Sequence, residues 1–221
     1  MKTTTLEEAL EAVRQDGTAL RYVPDGIKTA KLCLEAVRQD GAALYCVPEA
    51  LKMPEICLEA VRQTGYALEF VPDCMKTPEL CRIAVHRNGS ALEYVPNVLR
   101  TPEICLTAVR KDGLALEFVP EDLKTEDLCL EAVRQDGNAL EDVPEALQTT
   151  DVCLAAVHRN GSALKFVPER LKTPELCMAA VKQKEDAMLS VPEEYRDEVR
   201  RLLAEGDESS EEEQEGFSPT P

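Results

Sequence analysis

The chain has 221 residues, 42 of them acidic and 25 basic, and its formal net charge at pH 7 is −17. A charge of this size and sign keeps a protein soluble and disfavours general binding to nucleic acid or to anionic membranes. No apolar run approaches the roughly 20 residues that span a bilayer, and no basic start followed by an apolar stretch indicates a secretory signal. We therefore expect no membrane partner, and nucleic acid is disfavoured as a partner.

A pattern of 24 residues returns about eight times along the chain, and residues 101–124 are a clear copy of it. The cysteine, glycine and proline of this copy are Cys105, Gly113 and Pro120, and each recurs every 24 residues through most of the chain. A fixed period of this length is the signature of a repeat array. The sequence therefore predicts one repeat array rather than two ordinary domains.

The first copy, from about Thr5, carries Ala9 in place of the cysteine, and we interpret it as the N-terminal cap of the array. The first half of the 101–124 copy predicts a helix over about 102–112. Thr101 can cap this helix, Pro102 suits its first position, and Gly113 stands where a left-handed residue often ends a helix. A shorter helical segment is expected from 114 to 119, before Pro120. The apolar residues of the first helix form one stripe: Ile104, Cys105, Ala108 and Val109.

The last copy changes character. Glu185 replaces the glycine, so its first helix is expected to run further towards Val191. Residues 193–204 predict an amphipathic helix that shields the end of the array. The segment 205–221 holds seven acidic residues and no basic one, so it cannot build a core and is predicted to be a disordered tail. The inner side of the capping helix is predicted to carry Tyr195, Val199, Leu202 and Leu203.

A helix of eleven residues is marginal alone in water, whereas stacked repeats bury their apolar stripes against one another. We therefore predict an all-α fold. Residues 1–204 are expected to form an α-solenoid of about eight 24-residue two-helix repeats, capped at both ends, and residues 205–221 the disordered acidic tail.

Seven of the nine cysteines occupy one helix position. Neighbouring sulfurs would lie about one helix spacing apart, which is too far for a disulfide, and no Cys-x-x-Cys pair indicates a metal site. We interpret the seven as small apolar core residues and predict no metal or cofactor. Cys46 takes an aromatic core position and Cys74 is expected to be exposed, and the role of both stays open. So many reduced thiols indicate a cytosolic location, in the producing cell or in a host cell.

His86 and His158 are the only histidines, and both lie in the sequence His-Arg-Asn-Gly-Ser. Other copies carry arginine or lysine at this position, so the histidines belong to a basic row at the end of the first helix. The row either compensates the helix dipole on a solvated face or grips an acidic or phosphorylated segment of a partner. Nothing in it resembles a nucleophilic catalytic arrangement, and we expect neither an enzyme nor a small-molecule substrate.

An acidic row lies in the second half of the repeats. It is either a solvated face or a surface that imitates nucleic acid and occupies a nucleic-acid-binding protein. Its members are Glu69, Glu93, Glu117 and Glu141, with Arg21 and Lys165 on either side.

Positions that differ between copies are expected to face solvent and to carry any recognition surface. Arg82 is one local departure, because most copies have leucine at this position. The candidate partner-binding residues are Tyr45, Tyr66, Arg82, Ile83, His86, Leu114 and His158.

The stretch 76–96 contains Lys-Thr-Pro-Glu-Leu-Cys, then Ala-Val, then Asn-Gly-Ser-Ala-Leu-Glu-Tyr-Val-Pro. This phrase and its echoes over 5–192 resemble a bacterial and protist helical-repeat family known as domain of unknown function 4116. The resemblance implies the repeat fold and carries no activity. In unit length the chain is also similar to the leucine-rich repeat variant proteins, although their iron–sulfur segment has no match.

Proteins with such repeats occur among candidate effectors of intracellular bacteria. Residues 211–215, Glu-Glu-Glu-Gln-Glu, follow serines and resemble the glutamate-rich C-terminal secretion signal of type IV effectors, although a solubilising tail has the same composition. The leading hypothesis is a non-enzymatic scaffold for protein–protein interaction, in one form a translocated bacterial effector that binds a host protein. The alternative is an acidic decoy that imitates DNA and inhibits a nucleic-acid-binding protein.

Overall fold

A computed structural model describes the backbone of residues 5–215 and the side chains of residues 5–205. The chain divides into two compact units, Met1–Leu123 and Lys124–Pro221. Within the described residues both units are all-α and contain no strand, and the repeats form the predicted α-solenoid. Each repeat consists of an α-helix of ten residues, a 3₁₀ helix of six and a 3₁₀ turn of three. The predicted second helix is therefore a 3₁₀ helix.

The α-helices of the first unit are α1 (Leu6–Gln15), α2 (Ala30–Gln39), α3 (Pro54–Gln63), α4 (Pro78–Arg87) and α5 (Pro102–Lys111). Those of the second are α6 (Glu126–Gln135), α7 (Thr150–Arg159), α8 (Pro174–Gln183) and α9 (Arg196–Glu215). The six-residue 3₁₀ helices that follow α1 to α8 are Gly17–Tyr22, Gly41–Cys46, Gly65–Phe70, Gly89–Tyr94, Gly113–Phe118, Gly137–Asp142, Gly161–Phe166 and Glu185–Ser190. The three-residue turns are Asp25–Ile27, Glu49–Leu51, Asp73–Met75, Asn97–Leu99, Glu121–Leu123, Glu145–Leu147, Glu169–Leu171 and Glu193–Tyr195.

The start signals of the helices act as predicted. The hydroxyl of Thr101 accepts a hydrogen bond from the backbone N–H of Ile104, and Pro102 is the first residue of α5. A threonine caps α4 in the same way, whereas α3 begins after Met53 and has no side-chain cap. The local sequence around these positions is therefore enough to set where most of the helices begin.

The core of each repeat lies between the α-helix and the 3₁₀ helices. In the 101–124 copy the predicted stripe Ile104, Cys105, Ala108 and Val109 is buried. The 3₁₀ helix that follows contributes Ala115 and Leu116, which are also buried. Within each unit, a repeat helix packs on its own 3₁₀ helix and, after the first helix of the unit, on the preceding one, as α4 does on Gly89–Tyr94 and Gly65–Phe70. No repeat can therefore complete its core without a neighbour.

The glycines that recur every 24 residues are not there for the predicted reason, which was a left-handed residue at the end of each helix. No described glycine has a positive φ, so Gly113 is not a left-handed cap. These glycines instead begin the 3₁₀ helices at points where the next α-helix approaches closely. A Cβ added at Gly89 would overlap the backbone carbonyl oxygen of Ala108 and lie 2.9 Å from the backbone nitrogen of Asp112. The same overlap recurs at Gly17, Gly41, Gly65, Gly137 and Gly161.

The close approach also explains the last repeat. The prediction that Glu185 lets the first helix run further is wrong, because α8 ends at Gln183 and the chain then forms the usual 3₁₀ helix, Glu185–Ser190. Glu185 is exposed, and α9, the helix that follows it among the described residues, packs on α8 and not closely on this 3₁₀ helix. A side chain is therefore tolerated at this one copy of the position.

The C-terminal helix caps the second unit as expected. Val199 is fully buried, while Tyr195, Leu202 and Leu203 are half-buried. The helix begins at Arg196, because residues 193–195 form the 3₁₀ turn, and it continues beyond Ala204 to Glu215. Residues 216–221 lie outside the described residues, and disorder of the segment 205–221 stays a prediction.

The last residue of several repeats is a lysine or arginine whose side chain ties that repeat to the next one. Lys28 Nζ donates to the carbonyl oxygen of Cys46 at 2.9 Å, and Arg100 donates to that of Phe118 at 2.6 Å. In the second unit, Lys172 Nζ donates to the carbonyl oxygen of Ser190 at 3.2 Å. Each donor reaches 18 residues along the chain, to the C-terminal end of the next 3₁₀ helix. The sequence analysis did not predict these links between repeats.

Candidate partner-binding surfaces

The structure distributes the predicted surface residues over several faces. Arg82, Ile83 and His86 lie together on α4, and His158 lies on α7 in the second unit. Tyr45, Tyr66 and Leu114 belong to 3₁₀ helices of the first unit. Tyr66 and Leu114 directly follow the glycine with which their 3₁₀ helix begins. All seven face solvent at least in part, with Ile83 half-buried and the remaining six exposed: Tyr45, Tyr66, Arg82, His86, Leu114 and His158.

Three of the seven form a pocket of about 210 Å³ on the outer face of α4. Its lining residues are Arg82, Ile83, His86 and Arg87, so one apolar side chain lies among three basic or imidazole groups. The helix keeps its buried residues Leu80, Cys81, Ala84 and Val85 beneath this face. The sequence changes within α4 itself therefore lie outside its buried stripe.

An ion pair on the same helix orients Arg82. Its Nε donates to Glu79 Oε2 at 3.1 Å and its Nη2 to Glu79 Oε1 at 2.7 Å. These hydrogen bonds lower the pKa of the Glu79 carboxyl and raise the pKa of the Arg82 guanidinium. The pair is exposed and screened by solvent, so it adds little to stability, and its main effect is to restrict the direction of the guanidinium.

A second concave region, of about 450 Å³, lies among the 3₁₀ segments around Tyr45. The Tyr45 ring is 71% exposed and meets the Phe70 ring edge-on, with 5.3 Å between the ring centroids. Glu69 lines this region, and Lys52 and Lys76 are paired there with the acidic residues three positions before them, Glu49 and Asp73. Tyr45 is thus separated from the α4 pocket, with which it shares no lining residue.

The largest of these concave regions is an open groove of about 650 Å³ near the end of the first unit, here named the Val98 groove. Val98 is 89% exposed, and Phe118 beside it is half-buried. Arg100 lies in the groove and donates to the carbonyl oxygens of Glu93, Val95 and Phe118. The lining residues are Asn97, Val98, Arg100, Pro102, Glu117, Phe118, Val119, Pro120, Glu121, Asp122 and Leu123.

The predicted charged rows face solvent. Glu69, Glu93 and Glu117 are exposed in the first unit, and Glu141 is exposed in the second. The basic row at the helix ends is exposed as well, and its members are Arg14, Arg38, Arg62, His86, Arg110, Arg134, His158 and Lys182. Neither row is buried by the fold.

The helix cysteines behave as core residues. Cys33, Cys57, Cys81, Cys105, Cys129, Cys153 and Cys177 are buried free thiols. Burial raises the pKa of the Cys81 thiol to about 11 against the opposing effect of Lys76, and it raises those of Cys153 and Cys177 to about 11 as well. Cys46, expected in the core, is only half-buried, and Cys74 is exposed as expected. In the part of the chain that the structure describes, no group of three or more His, Cys, Asp or Glu residues could hold a metal ion.

The buried thiols make stability depend on pH in the alkaline range. A thiol whose pKa is raised on folding contributes stability that is complete below the unfolded pKa, about 9, and is lost as the pH rises through about 11. We expect the free energy of unfolding to fall between pH 9 and pH 11, with Cys81 contributing up to about 2–3 kcal/mol of the loss. Urea unfolding at pH 8, 9 and 10 measures the slope. Cys81→Ala, which copies Ala9, should make this slope shallower, and an unchanged slope would contradict the assignment.

The family model described as domain of unknown function (DUF4116) matches residues 7–52, 54–100, 101–148 and 150–196. Together these four stretches cover more than half of the chain. The protein belongs to this family. Each DUF4116 match spans two of the 24-residue repeats, so the family model describes a pair of the structural units. No curated protein matches the chain.

Within this DUF4116 chain, sequence reasoning found the α4 pocket but missed the Val98 groove. Val98 occupies a position where other repeats have Gly26, Ala50, Cys74, Asp122, Ala146 and Arg170. A bulky apolar residue at a position that is small or polar elsewhere was the available signal. Among the described residues, no helix is both long enough and apolar enough to cross a membrane.

Proposed function

We propose that the protein is a non-enzymatic scaffold for protein–protein interaction, and that the α4 pocket is one of its recognition sites. The observation that carries the proposal is the grouping of Arg82, Ile83, His86 and Arg87 around one concavity. Arginine is one of the residues that most often dominate binding energy at interfaces, and such residues act in well-packed pockets from which water is excluded. The pocket is small, so it serves as an anchor for one partner side chain rather than as a complete interface.

The proposal extends to a translocated bacterial effector that binds a host protein. Its support is the glutamate-rich sequence 211–215 near the end of the chain. In this form of the proposal the segment directs delivery and the repeats provide binding. A reporter fused to the full chain should then enter host cells, and deletion of 205–221 should abolish entry without changing partner affinity.

The variant Arg82→Leu/Ile83→Glu tests the recognition site. Leu-Glu is the pair found at this position in four other repeats, at 10–11, 34–35, 58–59 and 130–131, so the variant should fold normally. The immobilised full chain is exposed to eukaryotic and bacterial lysates, and the affinity of any near-stoichiometric partner is measured. We expect the variant to lose at least tenfold in affinity.

Ala155→Glu is the matched control, because it makes the same kind of change at the register of Ile83 on α7. It should stay within twofold of the wild type. Unchanged affinity in Arg82→Leu/Ile83→Glu would remove the α4 pocket from the interface. Retention of no protein from either lysate would count against a scaffold.

The acidic decoy is kept as a second candidate because Glu69, Glu93 and Glu117 are all exposed in the first unit. Exposed Tyr45 occupies the same register one repeat earlier and interrupts the acidic row, which favours the scaffold. Salt separates the two candidates, since a complex held mainly by exposed charges weakens steeply as ionic strength rises. A captured nucleic-acid-binding protein that is released by modest salt would favour the decoy.

A further inference from the structure

We propose that the Val98 groove binds an extended peptide segment that presents an apolar side chain beside basic ones. The inference deepens the scaffold function and rests on it, because it names the chemistry of a partner segment. The groove shares no residue with the α4 pocket, so the two surfaces can be tested separately.

The groove offers an apolar wall. Val98 is 89% exposed, which is higher than for any other large hydrophobic residue among the side chains that the structure describes. It faces a lining that includes Phe118, Pro120 and Leu123. A volume of about 650 Å³ lies in the range of pockets that bind small ligands or a few side chains. Covering Val98 would remove apolar surface from water, which favours the complex.

The charges of the groove select a basic segment. Glu117 and Asp122 line it as carboxylates beside the lining cation Arg100, while Glu121 already has an interaction partner. The Arg100 guanidinium donates to three backbone carbonyl oxygens, at 2.9 Å, 2.6 Å and 3.0 Å, and these hold it towards the repeat backbone. The carboxylates of Glu117 and Asp122 are exposed at the surface. Complementary charge therefore favours lysine or arginine on either side of the apolar anchor.

The equivalent position two repeats earlier shows what is particular to this groove. There Ala50 stands in the register of Val98 and does not line the concave region around Tyr45. A second copy of this chain is disfavoured as the occupant, because its formal charge of −17 opposes an acidic groove.

The probe is a fluorescein-labelled peptide, Lys-Leu-Lys-Phe-Lys-Leu-Lys, titrated with the full chain in 150 mM salt and followed by anisotropy. We expect saturable binding. A peptide with glutamate in place of lysine should not bind, and one with serine in place of leucine and phenylalanine should bind at least tenfold more weakly.

The variant Val98→Lys/Glu117→Lys should lose at least tenfold in affinity for the peptide. The matched control Ala50→Lys/Glu69→Lys makes the same charge change at the same two registers two repeats earlier, and it should stay within twofold. Both pairs alter exposed side chains, and circular dichroism checks that they fold. Equal losses in the two pairs would show unspecific charge attraction and overturn the proposal, as would a failure of the wild type to bind the peptide.

The α4 variant Arg82→Leu/Ile83→Glu should bind the peptide as the wild type does. A wild-type chain that ignores the peptide but retains a lysate protein through the α4 pocket would refute the groove proposal and leave the scaffold function standing. A concentration-dependent increase in molecular mass that Val98→Lys abolishes would instead identify a second copy as the occupant and overturn the proposal.

Discussion

Gly89→Ala is expected to lower the free energy of unfolding by about 3 kcal/mol, at the upper end of what overpacking a close contact costs. The added Cβ would overlap the carbonyl oxygen of Ala108 and lie 2.8 Å from the Cβ of Asp112. Two of the nearest atoms belong to the backbone of α5 and its C-terminal end, so no side-chain rotation relieves the overlap. The next repeat would have to move away and expose part of the buried layer. Urea unfolding followed by circular dichroism measures the change.

Gly26→Ala is the matched control for this prediction. An added Cβ at Gly26 meets nothing within 4 Å, and two other repeats carry Ala50 and Ala146 at this register. The control should be neutral or should stabilise the fold by about 0.5 kcal/mol, because alanine reduces the entropy of the unfolded chain. Equal stability of Gly89→Ala and Gly26→Ala would contradict the close approach as the reason for the glycine.

Lys28→Met is expected to cost about 2 kcal/mol, the range for hydrogen bonds to a charged group. The Lys28 side chain is only 8% exposed, and its Nζ lies 2.9 Å from both the Cys46 carbonyl oxygen and Asp25 Oδ1. Methionine preserves most of the side-chain volume but leaves the Cys46 carbonyl without this donor. The variant therefore isolates the polar link between the first repeat and the second.

Asp25→Asn separates the two contacts of Lys28. The Asp25 side chain is 80% exposed, and exposed ion pairs contribute little, so this variant should cost less than about 0.5 kcal/mol. A larger loss in Asp25→Asn than in Lys28→Met would show that the ion pair, rather than the hydrogen bond to the next repeat, provides the stability. Gln148, which donates to the Val143 carbonyl oxygen at 3.0 Å, indicates that an uncharged donor can also occupy this register.

The candidate surfaces could be predicted only in part. Arg82, Ile83 and His86 stood out because they differ from the other copies of their positions, and the structure brings them to one pocket with Arg87. Tyr66, Leu114 and His158 met the same criterion and line none of the concavities described above. Variation identifies exposed positions. Residues one turn apart on the same helix, such as Arg82 and His86, meet through the helix itself, whereas the lining of the Val98 groove depends on how two consecutive repeats pack.

The amino-acid sequence by itself determined the period, the helix starts and the buried stripe. These follow from interactions within a few residues, such as the hydrogen bond from the Ile104 N–H to the Thr101 hydroxyl, and from the spacing of Cys105 and Ala108 on one helix face. The tertiary structure alone decided why Gly89 is a glycine, why Lys28 is a lysine and where the Val98 groove lies. The partners of Gly89 and Lys28 are Ala108 and Cys46, 19 and 18 residues away, and only the packing of one repeat on the next brings them together.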